Sequence, residues 1–190
     1  HFLAQLYGFV SLLVTAETDA ESASAEVQAA LSARECDTVE YKSSLRINIQ
    51  TGQVDKRMEF EIVKTISGLA NHKGGTLLIG VDDDGGILGV EPDLKSFAKK
   101  SNRQDSFRLH FDELIATHIG LTNYQILATN WAHPDENLIF VVQVIASRSP
   151  VFTKSNNEAE FYVRRGARTV RLDSQSFFDY LRARWPDLFR

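Results

Sequence analysis

The segment Ala70-Asn71-His72-Lys73-Gly74-Gly75-Thr76-Leu77-Leu78-Ile79-Gly80-Val81-Asp82-Asp83 holds a helix end, a glycine pair, an apolar strand and an acidic turn in fourteen residues. On its N-terminal side Ile62, Val63, Ile66, Leu69 and Ala70 recur at helical spacing, and Asn71 through Gly75 read as the stop signal of that helix. Leu77, Ile79 and Val81 mark a strand, and Asp82 to Gly86 is a turn leading into Ile87-Leu88-Gly89-Val90, which predicts a hairpin.

Working outward, Glu26 to Ala33 is a short helix and Thr38 to Ser43 alternates as a half-buried strand. Alternation places Val39 and Tyr41 on one face and Glu40 beside Lys42 on the other. Arg46 to Asp55 lacks periodicity and reads as a loop. Downstream, Phe107, Phe111, Leu114, Ile115 and His118 share one helix face. Tyr124 to Thr129 and Leu138 to Ile145 are strands, the second apolar enough to be central. Glu160 to Leu172 reads as two strands about Gly166, and Ser174 to Arg184 as a helix capped by Asp173. The predicted class is α+β, a mixed or antiparallel sheet with flanking helices.

Composition limits the function. The 190 residues suffice for one full-sized domain that buries about 70% of its unfolded surface. A net charge of -4 argues against a surface basic all over, yet residues 1–34 hold one of the 21 basic and four of the 25 acidic residues. The rest is close to neutral, which leaves room for a local basic stripe beside an acidic site. The single cysteine, Cys36, excludes an internal disulfide and a cysteine-built zinc cage, and fits a reducing, cytoplasmic setting. With no histidine partner it reads as a small apolar filler, and His72, His110, His118 and His133 lack metal-ligand spacing.

His1 to Val14 is apolar but too short to cross a bilayer and lacks a signal sequence's basic flank, so it reads as a packed strand or helix, with a truncated membrane segment as the alternative. Residues 15–25 are small and acidic, as in a linker or helix start. The expected division is an extension over residues 1–29 and a domain over residues 30–190. Because the first residue is His1, a processed product or part of a longer protein is expected.

Two clusters carry chemistry. Glu35, Glu40 and Lys42 fall within eight residues, and Asp82-Asp83-Asp84 closes the apolar strand. Brought together, Glu35, Glu40 and one of the aspartates supply hard oxygen ligands suited to magnesium or manganese rather than zinc. Such an ion neutralises a scissile phosphate and activates water, with Lys42 as electrostatic partner. Strict alternation sends Asp82 and Asp83 to opposite faces, so either Asp83 is turned inward or Asp82 is the ligand. The ordinary reading is a solvated ion pair and a hairpin turn.

The second cluster is Arg164, Arg165, Arg168 and Arg171, with Phe161 and Tyr162 beside them, a combination that grips phosphates and stacks a base or else pairs with the protein's own carboxylates. Gly74, Gly75 and Gly80 are not followed by the Lys-Ser or Lys-Thr of a P-loop, so nucleotide hydrolysis of that type is not expected, and the helix stop accounts for them better.

Four blocks in order resemble the Schlafen AlbA-type domain: Glu35 through Glu40-Tyr41-Lys42-Ser43-Ser44-Leu45, Ala70 through Asp83, Phe107-Arg108-Leu109-His110, and Phe161-Tyr162-Val163-Arg164-Arg165-Gly166. The resemblance covers roughly residues 30–185 and implies a single Schlafen AlbA-like lobe that associates with nucleic acid. Some vertebrate Schlafens cut transfer and ribosomal RNA at a metal site of two glutamates and an aspartate. Matched to that motif, Glu35, Glu40 and Asp83 are the implied ligands, Lys42 the neighbouring basic residue, and structured RNA the implied substrate ahead of DNA. Those enzymes form a horseshoe of two lobes with a zinc finger. With one lobe here, a homodimer or another part of the protein would complete the groove. The alternative is a non-catalytic or regulatory nucleic-acid-binding module.

Overall fold

The computed structural model describes residues 25–97, 102–120, 125–155 and 158–189. The expectations for residues 1–24 and the start of the strand at Tyr124 lie outside them.

A four-stranded mixed sheet forms the centre, with β1 (Val39–Lys42), β4 (Gly74–Ile79), β6 (Ile139–Ile145) and β5 (Leu127–Ala132) in that spatial order. β1 runs parallel to β4, and β6 is antiparallel to both β4 and β5. β4 and β6 are the inner strands, so both of their faces are covered, which explains their unbroken apolar runs. Leu77, Ile79, Phe140, Val142 and Val144 face α2 (Lys56–Asn71) and α4 (Arg103–His118), where they pack with Ile62, Ile66, Leu69, Phe107 and Phe111. Leu78, Ile139 and Val141 point the other way, onto α1 (25–33), with Val27, Ala30, Val39 and Tyr41. The alternation of Leu77 and Leu78 therefore feeds two cores.

A second sheet, β7 (Phe152–Ser155), β8 (Glu158–Arg165) and β9 (Arg168–Arg171), is antiparallel and packs its Phe161 and Val163 beneath α5 (Ser174–Arg184). Asn71 ties it to α2: Nδ2 donates to Tyr162 O and Val151 O, and Oδ1 accepts from Val151 N–H, each at 2.8 Å. The α+β class is as read from the sequence, and so are α5 and its cap, where Asp173 accepts the Ser176 N–H at 2.8 Å.

Local details differ. Residues 46–55 form a small hairpin, β2 (Ile47–Asn48) with β3 (Gln53–Val54), too short for any periodicity to register. The hairpin expected after Val81 is reduced to one bridge, Val81 to Ile87. β7 and the one-and-a-half-turn helix α3 (Glu91–Ser96) carry no pattern of their own length. The helix stop is also corrected: α2 ends at Asn71, with His72 as its cap, and Gly74 and Gly75 open β4 instead. Gly75 has φ +148°, and a Cβ there would lie 2.1 Å from the carbonyl oxygen of Thr38. The close parallel approach of β1 to β4 needs that bare backbone.

Candidate nucleic-acid and cation site

Parallel pairing of Lys42 with Ile79 brings the turn after β4 alongside the end of β1, where Lys42 O accepts Gly80 N–H at 2.7 Å and Val81 N–H at 3.2 Å. The strand end that precedes one acidic segment is thereby joined to the strand that carries part of the other. Asp82 is spent on its own turn, accepting Gly86 N–H at 2.6 Å and Asp84 N–H at 3.0 Å. Asp83 is exposed, and its charge acts on Glu35 only as the smallest of several influences.

Glu35 is partly buried and accepts Tyr41 N–H on Oε1 at 2.9 Å. Its carboxyl is pushed above the usual range, first by burial; the Tyr41 hydrogen bond opposes this, Glu40 adds to it, Lys42 opposes it and Asp83 adds again. Glu40 lies deeper, with 9% of its side chain exposed. Oε1 takes the ammonium of Lys42, and Oε2 takes Arg164 Nη1 at 2.6 Å. Lys42 is 21% exposed, and its ammonium also donates to Tyr41 O at 2.9 Å.

The donor set is all carboxylate oxygen, the chemistry of a hard divalent cation. Among the described residues no three of His, Cys, Asp and Glu stand close enough to cage an ion by themselves. Magnesium commonly keeps several waters and is held by one or two carboxylates plus substrate phosphates. Of the three carboxylates expected to act together, Glu40 is engaged by Lys42 and Arg164, whereas Glu35 accepts the Tyr41 N–H.

The arginine hairpin divides. Arg165 and Arg168 are exposed about the Gly166 turn. Arg171 is 59% exposed but paired to Glu160 Oε1 at 2.6 Å. Two expectations are corrected here. The Arg164 side chain has no exposed surface, so it is no phosphate contact. Tyr162 is buried with its hydroxyl donating to Glu160 Oε2 at 2.8 Å and Lys64 Nζ 5.8 Å from its ring centroid, so it stacks no base. Strand alternation held the signal: Arg164 and Arg165 must point to opposite faces, and an inward arginine needs a carboxylate such as Glu40.

Sequence reading also passed over two polar clusters that shape the neighbourhood. Buried Asp93 accepts Ser44 Oγ, Leu45 N–H, Arg46 N–H and Ile47 N–H at 2.8 to 3.1 Å, fixing the chain as it leaves β1. Burial still raises its carboxyl above the usual range. Glu59 on α2 meets His110 Nε2 of α4 at 2.7 Å.

The α+β lobe carries partly buried Glu35, buried Glu40 and an exposed arginine turn. The Schlafen, AlbA_2 family model matches residues 35–173, and the chain belongs to that family, which is generally associated with nucleic acid. Among solved structures the chain is similar to the DIP2311 protein from Corynebacterium diphtheriae, with a TM-score of 0.57 and 17% identity over 85% of this chain and 32% of that one. The likeness is one of fold, and the chain spans about a third of that protein. No curated protein matches. Among the described residues no helix is long and apolar enough to cross a membrane.

Proposed function

We propose that the domain is a divalent-cation-dependent endonuclease that acts on structured RNA in a reducing cytoplasmic setting. What supports this reading is that the charges of Glu40, Lys42 and Asp83, from two segments of the chain, all act on the partly buried Glu35, and that Lys42 is paired with Glu40. Magnesium or manganese, when bound, neutralises the scissile phosphate and activates water. Glu35 and Asp83 would hold it. Lys42, whose ammonium is held by Glu40 and by Tyr41 O at 2.9 Å, would on turning to a phosphate oxygen stabilise charge developing on the phosphoryl group. Arg165, Arg168 and Arg171 grip the backbone on either side of the turn. A second copy, or another part of a longer chain, completes the groove around the duplex. The preference for RNA rests on the family resemblance.

The second reading, a nucleic-acid-binding or regulatory module without catalysis, is favoured by the engagement of both Glu40 oxygens by cations. Cleavage of folded RNA and of duplex DNA, with and without manganese, in wild type, Glu35→Gln and Asp83→Asn separates the two. The nuclease reading expects manganese-dependent cleavage, RNA ahead of DNA, lost in both variants. RNA bound but never cut establishes the second reading, and cutting that ignores manganese and both substitutions overturns the first.

A further inference from the structure

One planar group holds the whole Glu35 to Glu40 block. Cys36 N–H donates to Val39 O at 3.0 Å, closing the loop between the two glutamates. Arg164 enters this loop from β8. Its Nη1 donates to Glu40 Oε2 at 2.6 Å and to Thr169 Oγ1 at 3.1 Å, and its Nη2 donates to Cys36 O at 2.5 Å and Val39 O at 3.4 Å. The carboxylate of the second glutamate and two carbonyls of the loop that follows the first are thus set by a single guanidinium. A lysine at this position would bring charge without the rigid fork.

We infer that Arg164 is a positioning residue for the candidate cation site, holding Glu40 and the backbone beside Glu35 in place. Its burial separates it from its exposed neighbour Arg165. Together with Lys42 it neutralises Glu40, which leaves Glu35 and Asp83 as the pair available to a hydrated ion. Thr169 links the fork to β9, so the phosphate-gripping turn and the carboxylates share one support. The inference rests on the cation reading of the cluster, and its test separates the two.

Three quantities are measured on the full chain carrying Arg164→Lys: manganese affinity, the salt dependence of RNA binding, and the thermal midpoint. Manganese affinity is expected to fall about 10- to 100-fold, as when partners of metal ligands are removed, with the RNA salt slope unchanged. Manganese affinity unchanged overturns the inference. Thr169→Val keeps the shape, removes the Oγ1 acceptor, and gives a smaller loss of manganese affinity. It serves as the deciding variant should Arg164→Lys not fold, and unaltered affinity in it then overturns the inference. If wild type binds no manganese, the cation reading fails on its own. Arg164 is then judged by hydrogen exchange at the Tyr41 amide, which donates to Glu35: protection lost in Arg164→Lys at an unchanged midpoint supports positioning, and protection retained refutes it.

Discussion

Arg164 and Arg165 are neighbours with opposite environments, and the contrast divides the site into an inner half and an outer half. The inner half, Glu40 with Arg164 and the Cys36 and Val39 carbonyls, is dry, neutral and geometrically fixed. The outer half, Glu35, Asp83, Lys42, Arg165 and Arg168, is open and charged. A charge in the first is costly to leave unpaired, whereas a charge in the second is cheap to change and available to a ligand.

That difference makes the glutamates unequal targets. Glu40→Ala strands a buried guanidinium and should destabilise the fold by about 3–5 kcal/mol in urea unfolding. Glu40→Leu combined with Arg164→Met should cost clearly less than Glu40→Ala alone. If Glu40→Ala proves harmless, the inner half is not what it is described to be here. Lost activity in Glu40→Ala alone therefore does not identify a catalytic role.

Gly75→Ala attacks the support common to both halves. The added methyl meets the Thr38 carbonyl in the β1 to β4 approach, and a loss of about 2–3 kcal/mol is expected together with lost protection of the Thr76 amide in hydrogen exchange. In the outer half, Arg165→Ala with Arg168→Ala should leave stability within about 0.5 kcal/mol. The same pair should reduce the salt slope of RNA binding by about 1.4–1.8, which is about 0.7–0.9 for each lost phosphate contact. An unchanged slope would place the nucleic acid elsewhere.

The smallest effect concerns pH. Because the carboxyl of Glu35 is raised in the folded protein, the native state holds a proton that the unfolded chain releases just above pH 4.5, and stability falls as pH rises through that window. Asp83→Asn removes one of the like charges responsible, so the variant should lose less stability than wild type between pH 4.5 and 7. Parallel pH profiles would mean that Asp83 does not act on Glu35. Glu59 has the opposite sign. Burial works to raise it, but the His110 hydrogen bond and the charges of His110, Arg46 and Lys56 outweigh this and hold it below the usual range. Its contribution is therefore present above pH 4.5 and lost as pH falls through its lowered value.

Long periodic elements were legible in the sequence. Ile62 to Ala70 fixed a helix and Leu138 to Ile145 a central strand, because each repeats its pattern over several turns or pleats. Ile47–Asn48 and Gln53–Val54 are two-residue strands made by pairing alone, and nothing in their own residues announces them. Glu35, Glu40 and Asp83 could be named as candidates, but what lies near them depends on Lys42 pairing in parallel with Ile79, a long-range register that local pattern does not encode. Arg164 was misplaced because residue type was read ahead of alternation: four arginines in eight residues look like one stripe until the pleat divides them.

The partner of Glu40 lies 124 residues downstream. On a ribosome, the N-terminal acidic loop emerges long before the guanidinium that shapes it. A nascent chain thus displays a pliable acidic segment rather than a finished pocket, and the site matures only as the last sheet is delivered. If the completed domain cuts RNA, this late assembly keeps it inert beside the transcript and the ribosome that are producing it.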